Sequence, residues 1–476
     1  FQKKTIVNAI TAVQQYGGCC VFDETGLGKT ITGAHIAINV GEKILIVSPK
    51  ANQKSWAAVL PSATICTRQK IAQGAFDVVL VDEAHNFNNP KNKSFQALVE
   101  TIYFQGAKFP KVILLTATPC NNNVTEVVNM LKLIPFRLDC MPFYGVAVAG
   151  VSAMLAEKEL KQIERFDVDP ETGLGHSFRK IVNHVDARLA FQNSLWVLGG
   201  VMSGFCFRTT RQQIATDFST DGELMGHFPK IHKQNVAINV LGVEVHRTIK
   251  ILENLPLAYY NISKCCGQES QTGLSGIMRT LLMKRLDSSV AAFKETLSTI
   301  LATYDKILTT GVVQIDGEDY EVDGGFWLDA EKDKAGLDAI RALWEGQNDD
   351  QKIKQLIDLI DGLGDQKIVV FTEYTATQKI LVEALADRKT ISYNGSSDEK
   401  LLDVIANEFD RNTLTPTNKY QILIATDALA EGVNLHTATA LVHYDLKWNP
   451  SRLIQREGRV NRLVRVGLTP NDVSVY

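Results

Sequence analysis

The sequence predicts an α/β protein with two open parallel-sheet halves and a large, mainly helical insertion between them. Three observations carry this. Residues 1–135 alternate short apolar runs with helical stretches, and residues 351–476 repeat that style. The intervening 136–350 reads mostly as helix. At 476 residues the chain is too long for one ordinary core, so two or three domains are expected.

In the first segment "CCVFDE", "KILIVS", "FDVVLVDEA" and "KVILLTAT" are continuous apolar runs, each followed by a turn. Strands buried on both faces of a parallel sheet have this pattern. The last segment offers "KIVVFT", "TISYN", "QILIAT" and "ALVHYDL". Between them, "AMLAEKELKQIERF" and "VAAFKETLSTILATYDKIL" carry helical spacing. Residues 316–333 hold eight acids against one lysine, with Gly317, Gly324 and Gly325, and read as an exposed turn or hairpin. No repeat of solenoid length is present.

Composition narrows the class. Hydrophobic content of 45% and charged content of 22% are those of a soluble globular protein. A net charge of −3 excludes a basic nucleic-acid coat, so any nucleic-acid site is a local patch. The eight cysteines include no C-x-x-C pair, and two clusters are adjacent Cys-Cys. That argues against zinc and a disulfide framework and fits a reducing cytoplasm. Cys19, Cys20, Cys265 and Cys266 read as packing residues. The run "SLWVLGGVMSGFCF" is too short to span a bilayer, and no signal peptide is visible. The sequence opens on Phe1 and closes inside an apparent strand, "VSVY", so a piece of a longer protein is expected.

Chemistry concentrates first in "FDETGLGKT", residues 22–30, which follows an apolar strand and opens a helix. This is the context of a phosphate loop. Gly26 and Gly28 let backbone N–H groups approach phosphate without a Cβ in the way. Lys29 would reach the β- and γ-phosphates and the Thr30 hydroxyl would ligate Mg²⁺, beside the positive end of the helix. Asp23 stands where the first glycine of G-x-x-x-x-G-K-T is usual. "VVLVDEAHNF" then ends an apolar strand in Asp82-Glu83. An Asp there can hold Mg²⁺ through water, and a neighbouring Glu can polarise the attacking water. Near the end, "RLIQREGRVNRL" carries Arg452, Arg456, Arg459 and Arg462 at spacings of four, three and three. On a helix these crowd one side, and like charges that close call for an anion.

Taken in order, these motifs resemble superfamily-two helicases and translocases, and within them the Swi/Snf-like double-stranded-DNA translocases of a bacterial or phage type. "FQKKTIVNAI" with Gln2, "ILIVSPKANQKSW" with Trp56, "DEAH" and "LLTATP" carry the resemblance in the first segment. "IVVFTEYTAT", "ILIATDALAEGVNL", "YDLKWNPSR" and "QREGRVNR" carry it in the last. "FCFRTTRQQI" resembles the linker leaving the first lobe, and "LLMKRLDSS" a segment of bacterial and phage members. Asp at position 23 is common in this family's phosphate loop. "REGRVNR" departs from the usual wording but keeps the Q-x-x-G-R-x-x-R frame.

The resemblance implies two RecA-like lobes, at 1–135 and 351–476, flanking a Swi/Snf-type insertion at 136–350. It implies ATP and Mg²⁺ as cofactors. Gln2 would read adenine. Thr25, Gly26, Leu27, Gly28, Lys29 and Thr30 would cradle the phosphates. Gly432 and Gln455 would also bind nucleotide, and Glu431-Gly432 would couple the DNA and ATP sides. Thr30 and Asp82 would hold the metal, with Glu83 on the water. Arg459 and Arg462 would be arginine fingers reaching the γ-phosphate from the second lobe. Lys50, Lys54, Thr372, Tyr374, Thr426 and Trp448 are the DNA-phosphate candidates. Arg208 and Arg211 either touch phosphate or cap a helix. The expected partner is double-stranded DNA, with a nuclease or a flanking domain as a further one. Antiphage defence, repair and transcription-complex clearance are the candidate tasks. The competing functions are a DEAH-type RNA helicase and a nucleotide-gated DNA-binding scaffold that recruits a nuclease.

Overall fold

The computed structural model describes residues 1–104, 108–120, 124–136, 150–156, 158, 178–217, 229–236, 242–260, 274–315, 318–347, 351–398, 400–411, 418–429, 433–447, 450–462 and 472–476. The chain forms two compact units. The first comprises Phe1–Pro229, Glu431–Asn434 and Trp448–Pro470, and the second Lys230–Ala430, Leu435–Lys447 and Asn471–Tyr476. The segment 136–350 is thus divided, its first part grouping with the first sheet and the rest with the second.

The first unit is built on a parallel sheet of β1 (Gly18–Val21), β2 (Ile44–Val47), β3 (Thr64–Cys66), β4 (Val78–Asp82), β5 (Lys111–Leu115) and β6 (Cys206–Phe207). Their order is β3-β2-β4-β5-β1-β6, with every pairing parallel. All residues of β1, β2 and β4 are buried, which explains their unbroken apolar runs. Cys19 and Cys20 lie fully buried in this core, as expected of packing residues. Neither β3 nor β6 carries an unbroken apolar run. Both are short strands at the sheet's two edges, where little apolar pattern is needed.

The second unit has its own six-stranded parallel sheet. It contains β7 (Ile231–Lys233), β10 (Ile368–Phe371), β11 (Thr390–Tyr393), β12 (Ile422–Ala425), β13 (Ala440–His443) and β14 (Val473–Val475). Their order is β11-β12-β10-β13-β14-β7. Both units are therefore open parallel α/β sheets, the expected class. Helices Val243–Asn254, Leu274–Ser288, Val290–Thr310 and Gly324–Leu343 surround a separate core that includes Phe293, Tyr304, Leu337 and Trp344. The hydroxyls of Ser288 and Ser289 both meet the Thr377 hydroxyl, at 2.7 and 2.8 Å, tying "LLMKRLDSS" to "TEYTAT".

One expectation needs correction. Residues 316–333 are only partly a hairpin, whose strands are β8 (Val312–Ile315) and β9 (Glu318–Glu321). From Gly324 the chain is helical to Leu343. Asp323 caps that helix by accepting the Phe326 N–H at 2.7 Å. In the first turn a capped start offsets much of the entropic cost of two glycines. Most of "AMLAEKELKQIERF" lies outside the described residues.

Candidate nucleotide site

The geometry around the phosphate loop lies within the first unit. At the carboxyl end of β1 the chain turns through Phe22–Gly28 into the helix Lys29–Val40. Gly26 and Gly28 take φ of 88° and 80°. Only glycine adopts this region cheaply, so the loop shape depends on both. The Lys29 ammonium crosses the loop and donates to the Asp23 carbonyl at 2.9 Å and the Glu24 carbonyl at 3.2 Å. Burial pushes its pKa down, the negative charges of Glu83 and Asp82 push it up, and Arg462 pushes it down again. Lys29 is therefore close to both acids at the end of β4. The Gln2 carboxamide donates from Nε2 to the Leu27 carbonyl at 3.0 Å. An amide nitrogen carries two protons, so that bond leaves Gln2 able to donate once more and to accept.

Asp82 is held by a preformed shell. Its Oδ2 accepts from Ser48 Oγ, Asn52 Nδ2 and Trp56 Nε1, each at 2.9 Å. Oδ1 accepts the Glu83 N–H at 3.0 Å. Burial raises the carboxyl pKa and the Glu83 charge adds to it, while the three side-chain donors pull it back. Glu83 itself sits at φ 51°, a left-handed conformation that costs a non-glycine residue energy. Thr30 and Asp82 are hard oxygen donors, which fits Mg²⁺, an ion that keeps water and takes few carboxylates. Ser48 and Asn52 were missed in the sequence, although "SPKAN" holds both.

A line of polar contacts, hydrogen-bonded from His85 onward, runs from these acids to the arginine-bearing helix. Glu83 Oε2 lies 3.4 Å from His85 Nδ1, and that nitrogen lies 2.9 Å from Thr116 Oγ1. Thr116 Oγ1 accepts the Thr118 N–H at 3.1 Å. Gln455 Nε2 donates to Thr118 Oγ1 at 3.2 Å, and Arg452 Nη1 donates to Gln455 Oε1 at 3.1 Å. Burial lowers the His85 pKa, so the ring is neutral near neutral pH. "DEAH", "TAT" and "QREGR" are thereby one connected polar network.

The helix Pro450–Val460 approaches the loop through a glycine. A Cβ on Gly458 would stand 2.5 Å from Thr25 Cγ2, inside contact distance. Arg456 and Arg459 are buried. Arg462 is half-buried, donates from Nε to the Gly458 carbonyl at 3.2 Å and bonds Asn434 Oδ1 through Nη1. Its Cγ would be 3.3 Å from a Cβ on Gly26. The structure thus brings together Lys29, Asp82, Glu83, Gln455 and Arg462 around one loop.

Comparison with known proteins follows the same division. Residues 59–139 match the SNF2-related domain, and residues 351–464 match the helicase conserved C-terminal domain. An uncharacterized ATP-dependent helicase of Bacillus subtilis, YqhH, is 22% identical across 97% of this chain and 72% of its own length. Both domain matches support the Swi/Snf-like superfamily-two helicase family. The ATP-dependent RNA helicase eIF4A of Yarrowia lipolytica is 27% identical over 192 residues, covering 38% of this chain and 47% of that protein. Among solved structures, the Pyrococcus furiosus Hef helicase domain aligns with a TM-score of 0.42 at 15% identity, over 100% of this chain and 94% of that one. The SNF2-related match begins after the phosphate loop, so the loop stands on its own geometry.

The nucleic-acid candidates of this helicase-family chain are scattered. Lys50 and Lys54 are exposed on the short helices Lys50–Asn52 and Gln53–Val59 of the first unit. In the second unit Thr372 is fully buried and its hydroxyl donates to Asp445 Oδ2 at 2.6 Å. Tyr374 is buried beneath the Arg285 guanidinium, 4.0 Å from its ring centre, and burial pushes its pKa up to about 12. Thr426 is buried at the end of β12. The Thr372 hydroxyl spends its one donor on Asp445, so Thr372 would meet phosphate only through its backbone. Glu431, Gly432 and Trp448 lie outside the described residues.

Proposed function

We propose that this chain is an ATP-driven translocase on double-stranded DNA, with hydrolysis at the loop Thr25–Thr30. The observation that carries the reading is the seating of the arginine-bearing helix on that loop, Gly458 against Thr25, beside Lys29, Asp82 and Glu83. Phosphoryl transfer asks for positioning and charge neutralisation more than for covalent chemistry. Lys29 and the loop amides bind the phosphates, and Gln2 reads the adenine edge. Glu83 orients the attacking water. Thr30 and, through water, Asp82 would hold Mg²⁺, which would supply charge neutralisation at the phosphates. Arg459 and Arg462 supply the remaining positive charge. A finger of this kind contributes about 10³–10⁵ in rate, or roughly 4–7 kcal/mol of barrier. Gln455 and Gly432 belong to the same nucleotide face.

The SNF2-related match supports duplex DNA as the track. Lys50 and Lys54 are the proposed phosphate contacts in the first unit, with Thr372, Tyr374, Thr426 and Trp448 in the second. A motor that must ignore sequence binds backbone. A division into 1–135, 136–350 and 351–476, a cytoplasmic location, a nuclease partner and a role in antiphage defence belong to the same proposal. No helix among the described residues is long and apolar enough to cross a membrane. The eIF4A relatives favour RNA as a second reading.

One comparison separates them. ATPase turnover is measured with duplex DNA, single-stranded DNA and RNA, and displacement of a triplex strand is followed in parallel. Duplex stimulation with triplex displacement, both lost in Lys29→Ala, is the expected result. Stimulation by RNA alone would replace the DNA reading with the RNA one.

A further inference from the structure

Asp23 and Arg211 share an unexplained feature of the first unit. From Phe205 to Arg211 the chain runs alongside β1 and the phosphate loop, bonded at every second residue. The N–H groups of Cys20, Phe22 and Glu24 donate to the carbonyls of Phe205, Phe207 and Thr209, at 2.8, 2.7 and 3.1 Å. Two bonds return. The Thr209 N–H donates to Asp23 Oδ1 at 2.7 Å, and the Arg211 N–H to Glu24 Oε2 at 3.1 Å. The aspartate at the first glycine position therefore has a task, which is to hold this neighbouring segment.

Arg211 then reaches over the loop. One guanidinium nitrogen, Nη2, donates to the Thr25 carbonyl and to the Asn461 carbonyl, each at 2.6 Å. Thr25 is in the phosphate loop, and Asn461 lies between Arg459 and Arg462. In a planar trans peptide the C=O and the following N–H point in opposite directions. Holding the Thr25 carbonyl fixes the Gly26 N–H on the far side of that plane. Holding the Asn461 carbonyl fixes the peptide that leads into Arg462. Burial lowers the pKa of Arg211, and Glu24 and Glu457 oppose that shift.

We propose that Arg211 is a positioning residue for ATP hydrolysis. It sets the phosphate loop and the arginine-bearing segment in register, and links both to the segment that leaves the first sheet. This rests on the reading of Thr25–Thr30 as the ATP site. Arg211 acts through the two carbonyls, not by touching phosphate. The planar Nη2 group holds its two N–H bonds at a fixed angle to two acceptors, whereas a lysine ammonium is a freely rotating donor on a flexible stem.

The test compares Arg211→Ala, Arg211→Lys and wild type for DNA-stimulated turnover, KM for ATP, affinity for a fluorescent ATP analogue, and melting temperature. Loss of a charge-assisted pair of bonds predicts a kcat lower by roughly ten- to a hundredfold in Arg211→Ala. KM and analogue affinity should change by less than about threefold, because the loop amides and Lys29 still bind phosphate. Arg211→Lys should recover part of kcat and should fold even if Arg211→Ala does not. Turnover of either variant within about twofold of wild type would overturn the proposal. So would a fall in kcat matched by equal falls in affinity and melting temperature, which marks a purely structural residue. A wild-type chain that hydrolyses no ATP with any nucleic acid fails the underlying ATP reading instead, and the proposal with it.

Discussion

Gly458 and Thr25 are in contact across nearly the whole length of the sequence, with room for a hydrogen but not a methyl group between them. A Cβ at 458 would meet Thr25 Cγ2 at 2.5 Å and Thr25 Cβ at 2.7 Å. Thr25 Cβ is fixed to the backbone and no rotamer change moves it aside, so the helix or the loop must move. The helix carries Arg459 and leads to Arg462, and the loop carries Lys29. Gly458→Val is therefore expected to lower DNA-stimulated turnover at least about tenfold, because a displacement of about 1 Å near a reacting group costs this much or more. Nucleotide affinity should hold to within a few-fold, since the loop's own amides are untouched. Titration of a fluorescent ATP analogue beside steady-state kinetics checks both. An equal loss in binding and turnover would show that the valine had collapsed the loop itself.

Lys29 gives a pH dependence with a definite sign. Burial lowers its pKa below the ordinary lysine value of 10.5, with Glu83 and Asp82 opposing. The folded chain therefore binds fewer protons at Lys29 than the unfolded chain, from the lowered value up to 10.5. Its contribution to stability rises with pH through that window. ATP binding runs the other way, because phosphate pairs with the ammonium form. Affinity should fall as pH rises past the lowered value, earlier than for an ordinary lysine, and binding should take up a proton there. Calorimetry in two buffers of different ionisation enthalpy measures that proton. Lys29→Arg should flatten the dependence. An affinity that stays constant up to the ordinary lysine range would contradict the sign.

The phosphate loop was legible because its signal is local: an apolar strand, glycines, then Lys-Thr opening a helix. The central strands of both sheets were legible for the same reason, as unbroken apolar runs, whereas the short strands β3, β6 and β7 carry no such run. What surrounds Asp82 was not. Its three side-chain donors lie 34, 30 and 26 residues away in sequence, and only the β2–β4 pairing brings them together. Thr372 reads as a polar residue at a strand end, available to a ligand. Its partner Asp445 is 73 residues distant, and that bond turns a candidate contact into a buried anchor. Arg211 has two readings in the sequence, a phosphate contact or a helix cap, and neither points to the carbonyls it bonds. Its acceptors are carbonyls 186 and 250 residues away.

The helical core of the second unit depends on one buried carboxylate. Asp333 is fully buried and accepts the N–H groups of Leu257 at 2.8 Å and Ala258 at 2.6 Å, and the Tyr304 hydroxyl at 3.0 Å. Leu257 is itself fully buried and held at φ 52°, so these bonds secure a turn that a leucine would not adopt freely. Asparagine would present an NH₂ donor where three donors already converge. Asp333→Asn is therefore expected to cost about 2–4 kcal/mol, the range for leaving buried groups unsatisfied. Burial raises the Asp333 pKa above its ordinary value, with the three donors opposing. The folded state then binds more protons than the unfolded one just above the ordinary carboxylate range, so this ionisation makes stability fall as pH rises through that window. Urea unfolding of wild type and variant across mildly acidic pH tests both points. The variant should be less stable throughout and should lose that part of the pH slope. Equal midpoints for the two proteins would mean that the turn at Leu257 is held by packing alone.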